Sequence, residues 1–309
     1  MKTQTQPAPL PRQATGFTLI ELLIVIVILG ILMSLILPAI SSARRNARVA
    51  QVSTEIKSLE SGLENFKAKF DFYPPSTLVL HETGANWNTP AAAPHRAIIR
   101  RMFPQFDFAD HDFNGNGNTT DSFSLTGNEC LVFFLGGMAD QDGDNFAMIG
   151  FSKNPANPFT RAGSSRLGPF TEFETGRLVD NIPSGGNGFP EYVDPLPNQT
   201  APYGYLSANN GRGYAAGTMP YRLPGEDANL NNTLDASEDA NSNSTLDVGQ
   251  PFKPDSYQIV SPGFDNEHGT GGTYDPETAD AKLGYDANPS TRSAERDNIT
   301  NFHPGMLAD

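Results

Sequence analysis

The sequence predicts an α+β protein in which one long N-terminal membrane-spanning helix packs on a small antiparallel sheet with long loop insertions. Three observations predict this class. Residues 22–43 carry no charge, residues 49–70 repeat an apolar heptad stripe, and short apolar runs separated by Gly, Pro and Asn clusters follow from residue 145 onward. The 29 glycines and 25 prolines favour a loop-rich globular part over a helical one.

The uncharged run 22–43 is long enough to cross a bilayer. Its 22 residues extend about 33 Å at a rise of about 1.5 Å per residue, close to the ~30 Å hydrocarbon thickness. A polar leader with Lys2 and Arg12 precedes it. In an ordinary secretory signal the apolar segment comes before the cleavage site, so this order excludes one. The composition alone also permits a plain single-pass anchor.

The helix is expected to continue beyond the membrane. Apolar residues recur at alternating spacings of three and four, namely Val49, Val52, Ile56, Leu59, Leu63, Phe66 and Phe70. Gly62 costs about 1 kcal/mol relative to alanine but does not end a helix, whereas Tyr73-Pro74 does. The stripe predicts either packing on the globular domain or a coiled-coil dimer.

The globular part yields shorter elements. A short amphipathic helix is predicted at 97–103. A capping box from Thr126 to Glu129 opens a buried helix that ends at Gly136-Gly137. Strands of a small antiparallel sheet are predicted at 146–151, 203–206, 214–221 and 257–260.

Two acidic segments have the spacing of calcium loops. The first reads Asp110-x-Asp112-x-Asn114-Gly115, then five residues, then Asp121. Oxygen ligands at alternate positions curl round a hard cation, a glycine allows the sharp turn, and the last acid closes the shell. The acidic run 140–144 has three aspartates at alternate positions, which ordinary turns also show.

The second segment is a tandem repeat of period twelve over residues 226–249. The candidate ligands are Asp227, Asn229, Asn231, Asp235 and Glu238 in the first copy, and Asp239, Asn241, Asn243 and Asp247 in the second. Each copy has a leucine at its eighth position. The spacing resembles that of dockerin-like and thrombospondin-type calcium repeats.

Charge and cysteine content limit the partners. The net charge of −14 argues against nucleic-acid binding, which needs clustered Lys and Arg, and favours divalent cations. The single Cys130 forbids an internal disulfide, and the sequence predicts that calcium orders the loops instead. The histidines form no zinc-binding pair, and no P-loop, nucleophile elbow or dinucleotide fingerprint occurs.

The run Gly16-Phe-Thr-Leu-Ile-Glu21, followed by the apolar segment with Pro38, resembles the start of a prepilin. The resemblance implies cleavage after Gly16, methylation of Phe17 and pairing of Glu21 with the N-terminal ammonium of a neighbouring subunit. It divides the chain into a leader (1–16), an N-terminal helix (17–71, with a transmembrane part 17–43 and an amphipathic part 44–71) and a globular domain (72–309).

The segment from Ser256 to Gly272 resembles the C-terminal loop of the major pseudopilins of type II secretion, which binds calcium. Asp265 is carried over as a candidate ligand. Asn266 stands where the family has glycine, and either Asp275 or Asp280 is expected to supply the following acid. The globular part exceeds the usual pseudopilin size, with the extra residues in 76–195 and 222–252.

The resemblance implies a structural subunit, not an enzyme, with a pilin-like fold, that polymerises into a pseudopilus of the type II secretion type. Implied partners are other copies of the chain, minor pseudopilins, the prepilin peptidase and an inner-membrane assembly platform. The implied location is the bacterial inner membrane, single-pass, with the C-terminal domain in the periplasm.

Two alternatives stay open. One is a type IV pilin, and the other is a membrane-tethered, calcium-dependent domain that binds or hydrolyses glycans through Tyr203, Tyr205, Tyr214 and Tyr221.

Overall fold

A computed structural model describes residues 18–142, 145–180, 186–215, 218, 220–226, 234–235, 237–239, 242–247, 249–276, 283 and 293–308. The chain divides into two units, Met1–Ala47 and Arg48–Asp309, and each is described by itself. The first unit contains the apolar part of helix α1, which runs over Leu19–Phe70. Pro38 lies inside this helix, and the hydroxyl of Ser41 donates to the Pro38 carbonyl at 2.8 Å.

In the second unit, the stripe of α1 faces the globular core. The buried residues of the helix are Val52, Ile56, Leu59, Gly62, Leu63, Phe66 and Phe70. This confirms packing on the domain. Phe66 contacts the rings of Phe72, Phe134 and Phe170, with centroids 5.5–5.6 Å apart.

Gly62 is needed for this packing. A Cβ added there would lie 1.9 Å from Oγ1 of Thr171 and 3.4 Å from a methyl carbon of Leu135. The helix therefore approaches the 170–171 segment more closely than any residue with a side chain allows.

Two further α-helices are short. Helix α2 runs over Ala93–Met102 and α3 over Gly127–Gly136. In α3 the Glu129 carboxylate accepts the Thr126 backbone N–H at 2.6 Å, which confirms the predicted capping box. All residues from Glu129 to the end of α3 are buried, as its apolar composition predicts. Two 3₁₀ turns lie at Gly84–Asn88 and Thr175–Arg177.

The strands form small antiparallel sheets. Their bounds are β1 Leu78–His81, β2 Ser122–Leu125, β3 Ala139–Asp142, β4 Asn145–Met148, β5 Phe151–Ser152, β6 Arg166–Leu167, β7 Leu178–Val179, β8 Glu191–Tyr192, β9 Gly204–Ser207, β10 Tyr257–Ser261 and β11 Ile299–Thr300. The three-stranded sheet has the order β11-β10-β9, and the remaining pairs are β1-β2, β3-β4, β5-β6 and β7-β8.

Two strand predictions are wrong. The run 146–151 is divided between β4 and β5 because the chain turns at Gly150, which has φ +75°. The run 214–221 forms no strand in its described residues. Instead the Tyr214 hydroxyl donates to the carbonyls of Phe252 and Lys253, and the Tyr221 N–H donates to the side chain of Gln258.

A polar cluster joins α1 to residues 177–203. Glu55 of α1 accepts hydrogen bonds from Arg177, Tyr192 and Tyr203, at 2.7 Å from the Tyr203 hydroxyl. The Glu55 side chain is only 17% exposed, so its charge needs these partners. Most of the main apolar core also comes from residues 76–195 together with the α1 stripe. This region is thus part of the same folded unit as the helix.

Candidate functional site

The start of α1 is organised by its own capping box. Thr18 precedes the helix, and Glu21 Oε2 accepts its N–H at 2.9 Å and its hydroxyl at 2.7 Å. The Glu21 N–H points back to Thr18 Oγ1 at 3.3 Å. The cap satisfies backbone donors that a helix start otherwise leaves open. Gly16 and Phe17 lie outside the described residues.

The helix that follows is suited to a bilayer by length and composition. Its most apolar window has a mean hydropathy of 3.1, and none of that window is buried in the protein. Among the described residues no second helix meets the same criteria. Lipid is the environment in which such exposed Leu, Ile and Val side chains are stable.

The predicted ligands of the loop 110–121 make hydrogen bonds within the chain. Asp110 accepts the N–H of Gly84 at 2.7 Å, outside the loop. Asp112 accepts the N–H groups of Gly115 at 2.6 Å and Gly117 at 2.8 Å. The loop therefore turns round Asp112.

The remaining predicted residues of this loop bond within it. Asn114 Oδ1 accepts the Asn116 N–H at 3.1 Å. The two oxygens of Asp121 accept the side-chain amides of Asn116 at 2.9 Å and Asn118 at 2.8 Å.

The second copy of the tandem repeat shows the same local geometry. Asp239 accepts the N–H groups of Asn243 at 3.0 Å and Ser244 at 2.9 Å, and Asn243 donates to Asp247 at 3.0 Å. In the first copy, the Asp235 N–H donates to Glu238 Oε2 at 3.2 Å. Asp227, Asn229, Asn231 and Asn241 lie outside the described residues.

The C-terminal loop brings Asp265 close to Asp297. Phe264 donates its N–H to Asp297 Oδ2 at 2.6 Å, and Glu267 donates to Asp265 Oδ1 at 2.9 Å. Burial raises the pKa of Asp297, and the negative charge of Asp265 raises it further. Two carboxylates of like charge are thus held together, and a bound cation would reduce the repulsion between them.

Asp297 is an acid that the sequence pattern did not single out, and the fold places it beside Asp265. Strand β11 pairs with β10 in the register Ser261↔Ile299, which places the residue before β11 beside the C-terminal loop. Asp280 lies outside the described residues. The apolar-polar run at 299–300 was the only sequence signal, and it is too short to predict a strand.

Glu295 and Asp194 fix the same loop from two sides. Glu295 Oε1 accepts the N–H groups of Thr270 at 3.0 Å and Gly271 at 3.2 Å. Asp194, which is 1% exposed, accepts the Ser261 hydroxyl and the Gln199 amide. Burial raises the pKa of Asp194. Asp265 and Asp297 with nearby carbonyls have the oxygen chemistry that calcium prefers, although the described residues contain no group of three or more His, Cys, Asp or Glu with metal-binding geometry.

Three of the four tyrosines proposed for a glycan-binding surface are buried, and the fourth, Tyr214, is half-buried with its hydroxyl bonded to the carbonyls of Phe252 and Lys253. Tyr203, Tyr205 and Tyr221 are 1–2% exposed. Cys130 is also buried, and burial raises the pKa of its thiol well above the usual range.

A capped apolar N-terminal helix packed on small antiparallel sheets defines the class of pilin-like, membrane-anchored proteins. A family model described as the prokaryotic N-terminal methylation motif matches residues 11–37. The chain is 40% identical over 118 residues to the type II secretion system core protein G of Vibrio cholerae, covering 37% of this chain and 81% of that protein. The chain therefore belongs to the family of type II secretion core protein G, the major pseudopilins, which are structural subunits and not enzymes.

Other relatives match over shorter stretches. The core protein G of Pseudomonas aeruginosa is 38% identical over 86 residues, and that of Aeromonas hydrophila 39% over 89 residues. These matches cover 25% and 29% of this chain, and the chain spans 61% and 60% of the length of those two relatives. No solved structure matches the chain.

Proposed function

We propose that this chain is the precursor of a pseudopilus subunit of the type II secretion type. It is cleaved after Gly16, methylated at Phe17 and polymerised through α1, with the globular domain in the periplasm. The observation that carries this proposal is the Thr18–Glu21 cap at the head of a 52-residue helix. Its first part is apolar and exposed, and its second part is buried in the domain. Its partners would be further copies of the chain, minor pseudopilins, the prepilin peptidase and an inner-membrane assembly platform.

Processing is tested by intact-mass measurement of the membrane-bound protein. The expected mass lacks residues 1–16 and carries one additional methyl group. A mature chain that starts at any other residue contradicts the proposal.

The role of Glu21 in assembly is tested with Glu21→Gln. The amide removes a charge that is costly in the membrane, so insertion is expected to remain normal. Filament formation, scored by shearing and electron microscopy, is expected to be lost because the neutral side chain cannot pair with the N-terminal ammonium of a neighbour. Thr18→Ala is the companion variant. It removes the cap while keeping the charge, and it separates a capping role of Glu21 from a pairing role. Normal filaments from Glu21→Gln would rule out the pairing.

We also propose that the C-terminal loop binds calcium through Asp265 and Asp297. Two observations support this: the raised pKa of Asp297 beside Asp265, and the anchoring of the loop by Glu295 and Asp194. The tandem repeat, whose second copy keeps a turn round Asp239, is a second candidate. Bound calcium would supply positive charge that neutralises the acids and joins loop segments that no disulfide can join.

A further inference from the structure

A single arginine lies at the turn of the loop 110–121. The Arg161 guanidinium fills the space beside Gly115, since a Cβ added to that glycine would lie 2.1 Å from Nη1. Gly115 has φ +77°, and it is the glycine at the sharp turn of the predicted calcium pattern. Arg161 is held in this place because its Nε donates to the Ala139 carbonyl at 2.7 Å. A cationic group of the chain itself therefore occupies the neighbourhood in which the pattern predicted a metal ion.

The charges of three acids act on this guanidinium, although none of them forms an ion pair with it among the described residues. Burial lowers the pKa of Arg161, and the charges of Asp112, Asp140 and Glu82 raise it. Asp112 belongs to the loop, Asp140 to β3, and Glu82 follows β1. The arginine thus lies in the electrostatic field of acids from three segments.

Glu82 has the strongest need for a positive charge, because its residue is 0% exposed. Its carboxylate accepts the Phe113 N–H at 2.6 Å and the Asp121 N–H at 3.4 Å, so two points of the loop are bonded to one buried group. Burial raises the pKa of Glu82. Leaving such a group without a compensating charge is costly.

The loop carboxylates already have partners within the chain. Asp110 bonds to Gly84, Asp112 to two backbone N–H groups, and Asp121 to two side-chain amides. Calcium binding would require the two amides to turn their oxygens, in place of their NH₂ groups, towards the centre of the loop. A cleft of about 260 Å³ beside Arg161 is lined by Asn114, Gly115 and Asp140, so this acid of β3 borders the same space as the guanidinium.

We propose that Arg161 supplies the positive charge that the loop 110–121 would otherwise take from calcium, so that this loop keeps its conformation without a metal. The acidic loops of the chain then divide into two classes. In loop 110–121 a guanidinium lies against the glycine of the turn, whereas in the C-terminal loop the charged group that acts on Asp297 is another acid, Asp265. This inference concerns a different loop from the calcium proposal above, and it does not depend on filament assembly.

Hydrogen–deuterium exchange of the full chain in detergent tests the first half of this proposal. Peptides covering 110–121 are compared in calcium and in chelator, with peptides covering 257–276 followed in the same experiment. The expected result is equal protection of 110–121 in the two conditions. If amide exchange of 110–121 is faster in chelator than in calcium by fivefold or more, the proposal is overturned, independently of the result for 257–276.

Replacement of the arginine tests the second half. In Arg161→Gln, amide protection of 110–121 is expected to fall at least tenfold in chelator and to recover in millimolar calcium, because the freed acids then need a metal. Arg212→Gln removes the same charge from an exposed position and is expected to behave like the wild-type protein. Unchanged protection in Arg161→Gln would overturn the proposal.

Terbium provides an independent measurement, because Trp87 is the one tryptophan of the chain. It lies in the turn whose Gly84 bonds to Asp110. With tryptophan-selective excitation, Trp87 is expected to sensitise terbium emission in Arg161→Gln. No sensitised emission is expected from the wild-type protein. Sensitised emission of equal strength in both would show a metal site despite Arg161.

If Arg161→Gln does not fold, the exchange experiment is repeated with Arg161→Lys, which keeps the positive charge. Amide protection of 110–121 in chelator for Arg161→Lys supports the proposal, and loss of that protection contradicts it.

Discussion

Gly62 shows how a single residue can be unfavourable locally and still be required by the fold. Glycine inside a helix costs about 1 kcal/mol relative to alanine. At this position the cost is offset by close packing, because the Thr171 hydroxyl occupies the space of a Cβ and donates to the Ser58 carbonyl at 3.4 Å. The sequence predicts only the cost of glycine in a helix, because the compensating contact of Gly62 with Thr171 joins residues more than a hundred positions apart.

Gly62→Ala is therefore expected to destabilise the globular domain despite its higher helix propensity. Overpacking of a well-packed interface costs about 1–3 kcal/mol, so chemical denaturation of the full chain in detergent is expected to show a lower midpoint. Ser61→Ala, an exposed neighbour, is the control and is expected to have little effect. Adding Thr171→Ala to Gly62→Ala removes the clashing hydroxyl and is expected to restore part of the loss. If Gly62→Ala raised the midpoint, α1 would be able to move away from Thr171 without a loss in the free energy of unfolding.

The candidate site residues were predictable only where the pattern is local. The acids of the loops at 110–121 and 226–249 were singled out because their spacing is contained within about a dozen residues, and Asp265 because its segment resembles the C-terminal loop of the major pseudopilins. Asp297 and Arg161 could not, because each reaches its loop through the fold. The position of Asp297 beside its loop depends on the pairing of β11 with β10. The position of Arg161 depends on where the segment after β5 lies and on the hydrogen bond from Arg161 to the Ala139 carbonyl.

At the scale of elements, periodicity and capping were reliable signals. The heptad stripe predicted the buried face of α1, and the Thr126–Glu129 pair predicted the start of α3. The short apolar runs were weaker signals. The aromatic residues of 214–221 are explained by packing and side-chain hydrogen bonds, because Tyr221 forms a second small cluster with Val260, Tyr274 and Leu307.

The contact of β1 with α2 makes the fold sensitive to acid. His95 Nδ1 accepts the backbone N–H of Val79 at 3.2 Å, so this nitrogen is unprotonated in the folded protein. Burial lowers the pKa of His95, and the nearby His81 lowers it further. Burial also lowers the pKa of His81. Because the folded state binds fewer protons than the unfolded state, the free energy of unfolding falls as the pH falls below the unfolded pKa of about 6.5.

His95→Gln is expected to reduce this pH dependence. The amide oxygen can still accept the Val79 N–H but does not titrate. Melting temperatures of the wild-type protein and the variant are compared at neutral and mildly acidic pH, and the wild-type protein is expected to lose more stability on acidification. His303→Gln is the matched control, since His303 lies in a different part of the fold beside Tyr274. Equal slopes for wild-type protein and His95→Gln would contradict the assignment.

At the scale of the whole molecule, the chain combines strong negative charge with few covalent constraints. It has 35 acidic residues against 21 Lys and Arg, and its one cysteine is buried. Arg161 and Arg177 each neutralise acids within the domain, but the C-terminal loop brings Asp265 and Asp297 together. Self-repulsion of this kind destabilises a compact state unless cations bind.

We therefore expect the full chain in detergent to melt at a higher temperature in millimolar calcium than in chelator. A ligand that binds only the folded state stabilises it by roughly 2.7 kcal/mol at a hundredfold excess over Kd, which corresponds to a shift of several degrees for a domain of this size. Magnesium is expected to do less, because it demands a tighter octahedral shell and releases water reluctantly.

Variants assign this shift to a loop. Asp265→Asn and Asp297→Asn are each expected to abolish most of the calcium-dependent shift, whereas Asp255→Asn, an equal change of charge at an exposed position, leaves it intact. Asp239→Asn in the tandem repeat reports any contribution of that segment, and Asp112→Asn is expected to have none because Arg161 closes its loop. A calcium shift that survives Asp265→Asn and Asp297→Asn but disappears in Asp239→Asn would move the site to the tandem repeat. Identical melting in calcium and chelator would remove calcium from the account of this fold, and the filament proposal would then depend on the N-terminal helix alone.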